Sequence, residues 1–398
     1  NTSIDKNMNT TNPNTDKLIT NSSVLDAILL DNGDVLISVD KRLAQLTPDT
    51  VLYEKLNKVY QSIVPSKELG NLANTTLLDG KTEEESLGQL FKILDQIYAN
   101  NPYAYTLKSS RDSLKLFEDN ISYLTIKPKE NQWLVQGKGI YTGVKNDNDA
   151  SGQNYYGFDT GHRNYKTTTN TKGGVATFEY GLSNKSSLGV VFGGNNQDIN
   201  FKGTSTIDGN SIYIGTFAKT ERNNFKFISG LGYQYTSAKG DRGVSNKYDS
   251  FKTNDKYNIN SLNYFIEGKY SIDIDNQVTM EPKIRLSYYY INQDKIDEGY
   301  TPGNISMKAE KATSSTGDLE LGIDFKKEFQ LTNSKLNSIF SVGVINTIGQ
   351  KEKSLSGNII GKDNNGTTFD IKGVELPRTS GKVAYNLELE KIRHNHSK

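Results

Sequence analysis

The side chains that most often carry out chemistry are scarce in this sequence. There is no cysteine, which removes disulfides, zinc–thiolate sites and thiol nucleophiles. Of the three histidines, His394 and His396 fall in the last five residues, and His162 has no carboxylate or imidazole partner at catalytic or ligating spacing. That pattern argues against histidine-based metal or acid–base work, and a lipase-type site would need a His–Ser pair that His162 alone does not announce. Asp147, Asp149, Ser151 and Gly152 match the opening of a calcium loop. The closing bidentate Glu of such a loop falls where this chain has Phe158, and no helical pattern flanks the segment. It reads as a solvated outer loop. Gly137 and Gly139, and the Gly193-Gly194 pair, lack phosphate-loop spacing and read as strand glycines. No cofactor, no metal and no enzymatic activity is expected from these residues.

The charged residues are arranged instead in alternation. Along 278–290, Thr279, Glu281, Lys283, Arg285, Ser287 and Tyr289 oppose Val278, Met280, Pro282, Ile284, Leu286, Tyr288 and Tyr290. Along 262–272, Glu267 and Lys269 oppose Leu262, Tyr264, Ile266, Tyr270 and Ile272. Along 319–326, Glu320, Asp324 and Lys326 oppose Leu319, Leu321, Ile323 and Phe325. A period of two is that of a strand, whose successive side chains point to opposite faces. These stretches run ~10 residues or more, the length of a tilted membrane-spanning strand. The apolar face carries Tyr and Phe near strand ends, as an interfacial aromatic girdle requires. The other face mixes both charge signs, which suits a lumen holding water or another chain. A soluble sandwich would turn that polar face outward and leave the aromatic ends without a reason.

Bulk composition agrees. The 398 residues hold 47 basic and 46 acidic side chains, a net charge of +1, so the chain lacks the basic excess that nucleic-acid binding needs. Mean hydropathy is −0.63. No run approaches the ~18 apolar residues of a helical span. The start, NTSIDKNMNTTNPNT, lacks a secretory leader pattern and reads as the middle of a longer polypeptide.

The elements that must position the alternating faces differ along the chain. Residues 1–47 read as a passenger remnant, loose over 1–23, with Asn32-Gly33 marking either an isolated hairpin or the last turn of a larger β-structure upstream. Residues 48–121 read as a helical linker. One helix begins after Pro48; a second follows the acidic Thr82-Glu83-Glu84-Glu85 and stops at Asn100-Asn101-Pro102. A third spans about 103–121 and carries Lys108, Arg111 and Lys115; it is too polar around its circumference for an ordinary core helix. Residues 122–391 read as an up-and-down antiparallel barrel, with short turns alternating with long polar loops near 146–172, 201–210, 238–256, 294–315 and 350–368. About eleven strands are visible, including one at 367–376. That count would set the first and last strands parallel, or leave an open edge that assembles poorly. Residues 392–398 read as an atypical tail.

The order of these parts resembles the translocator domain of monomeric autotransporters, the type V secretion proteins of bacterial outer membranes. The resemblance rests on Trp133 in a first strand, on 173–182 as a Gly-containing second strand and on Leu188-Gly189 in a third. Ser211 with Tyr213, and Pro282 leading to Tyr288, continue the pattern, and the whole covers about 131–391. It implies a 12-stranded barrel with a helix threaded through the pore, following a secreted passenger that is adhesin-like. The implied partners are outer-membrane lipid, periplasmic chaperones, the barrel-assembly machinery and the passenger in cis. The helix cations are expected near lumen carboxylates such as Glu281 or Glu320. Some members of the family cut the passenger loose by asparagine cyclisation; Asn100-Asn101 is the candidate here and reads better as a helix-ending turn. Against that pattern, one strand and its usual terminal aromatic are expected to be lacking here. A free-standing porin or passive channel is the other reading, disfavoured by the helical leader.

Overall fold

The alternating stretches do form strands. The computed structural model describes residues 17–18, 25–30, 33–39, 50–65, 69, 81–147, 151–161, 163–275, 277–331 and 334–391. His162, His394, His396, the 70–80 linker and the 392–398 tail lie outside them. Ten long strands succeed one another: β1 (Trp133–Asp147), β2 (Lys166–Gly181), β3 (Ser186–Phe201), β4 (Thr206–Arg222), β5 (Phe225–Ser245), β6 (Ser250–Tyr270), β7 (Val278–Gln293), β8 (Ala312–Gln330), β9 (Ser334–Gly349) and β10 (Thr379–Lys391). Each pairs antiparallel with the next in chain order, and the four-residue Ile272–Asp275 prolongs β6 against the start of β7. The sheet curls until its two end strands face one another. Leu286, Tyr288 and Tyr290 are exposed on its outer surface, while Arg285, Ser287 and Tyr289 are buried on its inner one. This is the inside-out arrangement of a membrane barrel, whose solvent on the outside is hydrocarbon.

Two expectations are corrected. The segment at 367–376 does not enter the barrel wall. Its Phe369–Ile371 pairs with Leu355–Gly357 in a separate four-stranded sheet with Met307–Ala309 and Ile296–Asp297. A three-residue strand that buries Phe369 and Ile371 is enough for a small sheet packed on helices, and too short to cross a bilayer. With ten long strands the first and last run antiparallel, so the parallel seam of an eleven-strand count does not arise. Second, 201–210 and 238–256 are not long loops. β5 and β6 each run 21 residues and pair along their whole length to Ser245 and Ser250. Their outer thirds lack an apolar outward face, which hides them from a pattern search; a strand rising out of the membrane meets water on its outer side, while here the inner side is buried with Ala238, Arg242, Val244 and Tyr257.

Three helices precede the barrel: α1 (Thr50–Ile63), α2 (Glu83–Tyr98) and α3 (Pro102–Ser122). The Thr82 side chain caps α2 by accepting from the Glu85 amide at 3.2 Å, and Glu83, Glu84 and Glu85 face the positive end of its dipole. α1 and α2 pack on the small outer sheet. Leu56, Ile63, Leu90, Phe91, Ile359 and Phe369 share one apolar core that runs on through α3 into the barrel. The 151–161 segment, expected as solvated loop, is a hairpin (Asn154–Tyr155 with Phe158–Asp159) whose Phe158 ring lies 5.9 Å from that of Phe91. Upstream, Leu25–Leu29 and Val35–Val39 form an antiparallel hairpin joined by Lys17–Leu18.

Candidate functional site

The lumen is filled by α3. Pro102 starts the helix, where its missing N–H costs nothing, and Asn101 Oδ1 accepts from the Tyr103 amide at 3.2 Å. Asn101 is fully buried, its amide nitrogen donating to Met307 Sδ at 3.0 Å, so it is a cap between α2 and α3. The helix start sits at the long-loop end of the barrel. There Tyr103 donates to Glu298 at 2.7 Å, and Glu298 also accepts from Arg242 at 2.6 and 2.8 Å, from Thr253 at 2.7 Å and from the Met307 amide at 2.8 Å. Five donors on one carboxylate fix the helix, the wall and an outer loop together.

One flank of α3 is apolar. Phe117 stacks on Tyr213, with ring centroids 4.3 Å apart and planes at 10°. The wall behind them is notched by glycine. A Cβ at Gly193 would come within 2.6 Å of the Phe117 ring, and one at Gly232 within 2.0 Å of the Tyr213 hydroxyl. At the same level Ser113 donates to Gln234 and accepts from Asn195, each at 2.7 Å.

The opposite flank is ionic. Arg111 and Lys115 both reach Asp318, Lys115 at 2.7 Å. Glu118 accepts from Ser287, from Tyr289 at 3.1 Å and from Arg285 at 3.3 Å. Asp119 lies 2.6 Å from both Arg285 and Lys382. At the short-turn end, Ser122 donates to Glu267 at 2.7 Å, and its carbonyl, at the negative end of the helix, accepts from Lys269 at 3.2 Å. The wall charges also pair among themselves. Glu267 meets Arg285 at 2.6 Å, and Asp324 meets Lys269 and Lys283, each at 2.8 Å. Glu320 meets Lys382 at 3.1 Å and Lys283 at 3.3 Å.

The expected partners of the helix cations are corrected by this geometry. Lys108 pairs with Asp112 one turn along the same helix rather than with the wall. Glu281 is held by Lys226 at 2.5 Å, near the short-turn rim below the helix end. Asp318 receives Arg111 and Lys115 instead; it lies on the same strand face as Glu320 and Asp324, one residue before the alternating run 319–326. The anionic half of the helix, Glu118 and Asp119, is not among the residues expected to meet the wall. Their signal was available: acids on a helix bound for a lumen that carries Lys283, Arg285 and Lys382.

Chemically, this arrangement can hold and seal. Among the described residues no three His, Cys, Asp or Glu side chains converge as a metal site. The network is a set of matched charges across a helix and its sleeve, closed to water on the apolar flank.

The sequence profile described as "Autotransporter beta-domain" matches residues 135–393. Two solved structures are similar. The translocator domain of the autotransporter NalP from Neisseria meningitidis has 11% identity and a TM-score of 0.45, covering 75% of this chain and 99% of that one. The beta domain of the Bordetella autotransporter Brka has 10% identity and a TM-score of 0.37, covering 58% of this chain and 92% of the other. No curated protein sequence matches the chain.

Proposed function

The chain belongs to the autotransporter β-domain family, and from that premise we propose that it is the outer-membrane translocator and anchor of a longer polypeptide whose upstream passenger is displayed at the cell surface. The family is one of translocator barrels rather than an enzyme class. The single observation that carries the reading is the course of α3. Its N-terminus lies among the outer loops with Tyr103 on Glu298, its C-terminus lies at the short turns with Ser122 on Glu267, and the chain then enters β1 beside the β2–β3 turn. A polypeptide that has crossed outward once, and stays tethered by its last helix, has this course.

An adhesin-like passenger is supported by the hairpin at Leu25–Leu29 and Val35–Val39, the kind of element with which a β-rich stalk would end. Outer-membrane lipid is the partner of the apolar outer face, and the passenger in cis is the partner of the lumen. Delivery by periplasmic chaperones and the barrel-assembly machinery completes the reading. A passive porin would need a free lumen, and the matched charges on one flank of α3 with Phe117 packed on the other speak against it.

The test is a folded reporter fused ahead of Asn1 and expressed in intact bacteria. Protease added outside should remove the reporter and leave the barrel. A reporter that is digested only after the cells are lysed overturns the reading.

A further inference from the structure

α1 and α2 precede α3 in the chain and lie at its outer end, where three of the barrel's outer connections meet them. From the β1–β2 connection, the Tyr156 carbonyl accepts from Gln89 at 3.2 Å and Arg163 meets Asp95 at 2.9 Å. From the β5–β6 turn, the Ser245 amide donates to the Gln96 side chain at 3.0 Å and the Ser245 carbonyl accepts from it at 2.6 Å. Asn246 and the Lys247 amide donate to Gln89 at 3.1 and 3.3 Å. From the β9–β10 connection, the Ile359 amide donates to Ser62 at 3.0 Å, the Lys372 amide donates to the Tyr98 carbonyl at 2.7 Å, and Asp370 pairs with Lys55 at 2.5 Å. The connections thus direct backbone groups at the two helices. They also bury Phe158, Ile359, Phe369 and Ile371 in the core they share with them. Without the helices those groups and side chains would turn to water.

The inner face of the wall shows the same closure. Val244 points inward one residue from the outer end of β5 and is 1% exposed. A side chain that high in an open sleeve would meet water. This one adjoins Ser245, the residue gripped by Gln96 of α2.

We propose that α1 and α2 are a lid that shuts the outer mouth of the barrel once α3 has reached its place in the lumen. The order follows from the chain. Only residues 99–101 join α2 to α3, and so short a link spans at most about 14 Å. α2 can therefore grip Ser245 and Lys372 only when Pro102 already stands at the outer rim. The mouth stays open to an emerging chain and closes behind it. The lid rests on the translocator reading and adds a second closure to it, formed outside the membrane and separate from the α3 plug.

The absence of cysteine makes a single thiol a clean reporter of this closure. Val244→Cys would be placed in the full chain, with the folded reporter ahead of Asn1, in intact bacteria treated from outside with a membrane-impermeant maleimide. With the lid shut, Val244→Cys should react at least about tenfold more slowly than Lys252→Cys, an exposed position at the same height on β6. Two variants lift the lid by different means. Gly88→Leu drives a side chain into the Tyr155 and Tyr156 carbonyl oxygens, which stand 2.9 Å from where a Cβ would be. Gln89→Ala with Gln96→Ala releases 245–247. Each should speed the Val244→Cys reaction about tenfold and leave that of Lys252→Cys unchanged. Reporter display is scored on the same cells. A reporter that stays inside in the chain carrying Val244→Cys alone overturns the translocator reading, and the lid with it. With the reporter displayed, the lid alone is overturned if Val244→Cys reacts as fast as Lys252→Cys in the otherwise unchanged chain, or stays slow in both lid variants.

Discussion

Single side chains in the lumen matter through the charges they leave behind. Arg285 is fully inside the barrel and answers Glu267, Glu118 and Asp119 together. Its truncation strands buried carboxylates, and breaking one side of a buried pair typically costs about 3–5 kcal/mol. Arg285→Ala should lower the temperature at which the folded band converts on a denaturing gel. Arg285→Lys should recover part of the loss, since it keeps the charge but not the fork that contacts several acids at once. Asp95 of α2, above the membrane, behaves differently. Burial raises its carboxyl to about 6, with the Arg163 guanidinium at 2.9 Å pulling partly back and Asp159 adding to the rise. Its Oδ1 is buried with no hydrogen bond. An unfolded aspartate titrates near ~3.9, so between pH 6 and 4 the folded outer cap, formed by α1 and α2 on the small sheet, keeps a proton that the unfolded chain releases. The cap should become more stable as pH falls through that window, and the gain should be flat above it. The helical circular dichroism signal, melted at a series of pH values, measures this; in Asp95→Asn the trend should vanish. A wild-type cap that weakens steadily from pH 6 to 4 contradicts the assignment to Asp95.

At the scale of the element, α3 is held by shape on one flank and charge on the other. The shape term is testable at Gly193, where a side chain would press on the Phe117 ring and on the Val175 side chain. Neither can retreat far, because Phe117 is already stacked on Tyr213. Gly193→Val should cost roughly 1–3 kcal/mol, as overpacking does, and should tilt the helix off the wall. Purified barrels in planar bilayers would then show a higher and noisier conductance than the parent. Unchanged conductance would mean that the apolar flank does not set the position of α3. The outer ends of β5 and β6 belong to the same scale. They lengthen the sleeve beyond the bilayer, and Arg242 at that end holds Glu298, which in turn holds the helix start.

For the whole molecule, the question is whether the plug is ionic in the sense that salt can loosen it. An exposed set of charge pairs would weaken as ions screen it. Here Arg285, Glu267, Glu118, Asp324 and Lys283 are all buried, and buried pairs are screened far less. Conductance of the complete chain should stay low from dilute to molar salt once the bulk conductivity is divided out. A barrel lacking residues 81–122 should show a large, stable step at every salt concentration. Closure that fails progressively with salt would place the holding charges at the exposed rims instead.

The barrel was legible in the sequence because its physics is local. A strand between lipid and a polar lumen must alternate, and the alternation of 262–272, 278–290 and 319–326 states which side chain faces which solvent. The polarity of α3 likewise indicated an environment with charges, which the structure confines to one flank while Phe117 and its neighbours pack on the other. What needed the tertiary structure was anything decided by partners distant in the chain. Asp318, rather than Glu281 or Glu320, meets Arg111 and Lys115, because the height of α3 in the sleeve depends on the stacking of Phe117 and the anchoring of Tyr103. The short strand Phe369–Ile371 has the composition of a barrel strand and belongs to the cap, since three residues carry no record of whether lipid or a helix covers them. The outer thirds of β5 and β6 left no apolar periodic trace because their outer face meets water while their inner face is buried through polar and small residues such as Arg242 and Gly240, and the ladder between them makes them strands. Alternation records the solvent on each face of a strand; it holds no record of which strand, helix or charge stands opposite.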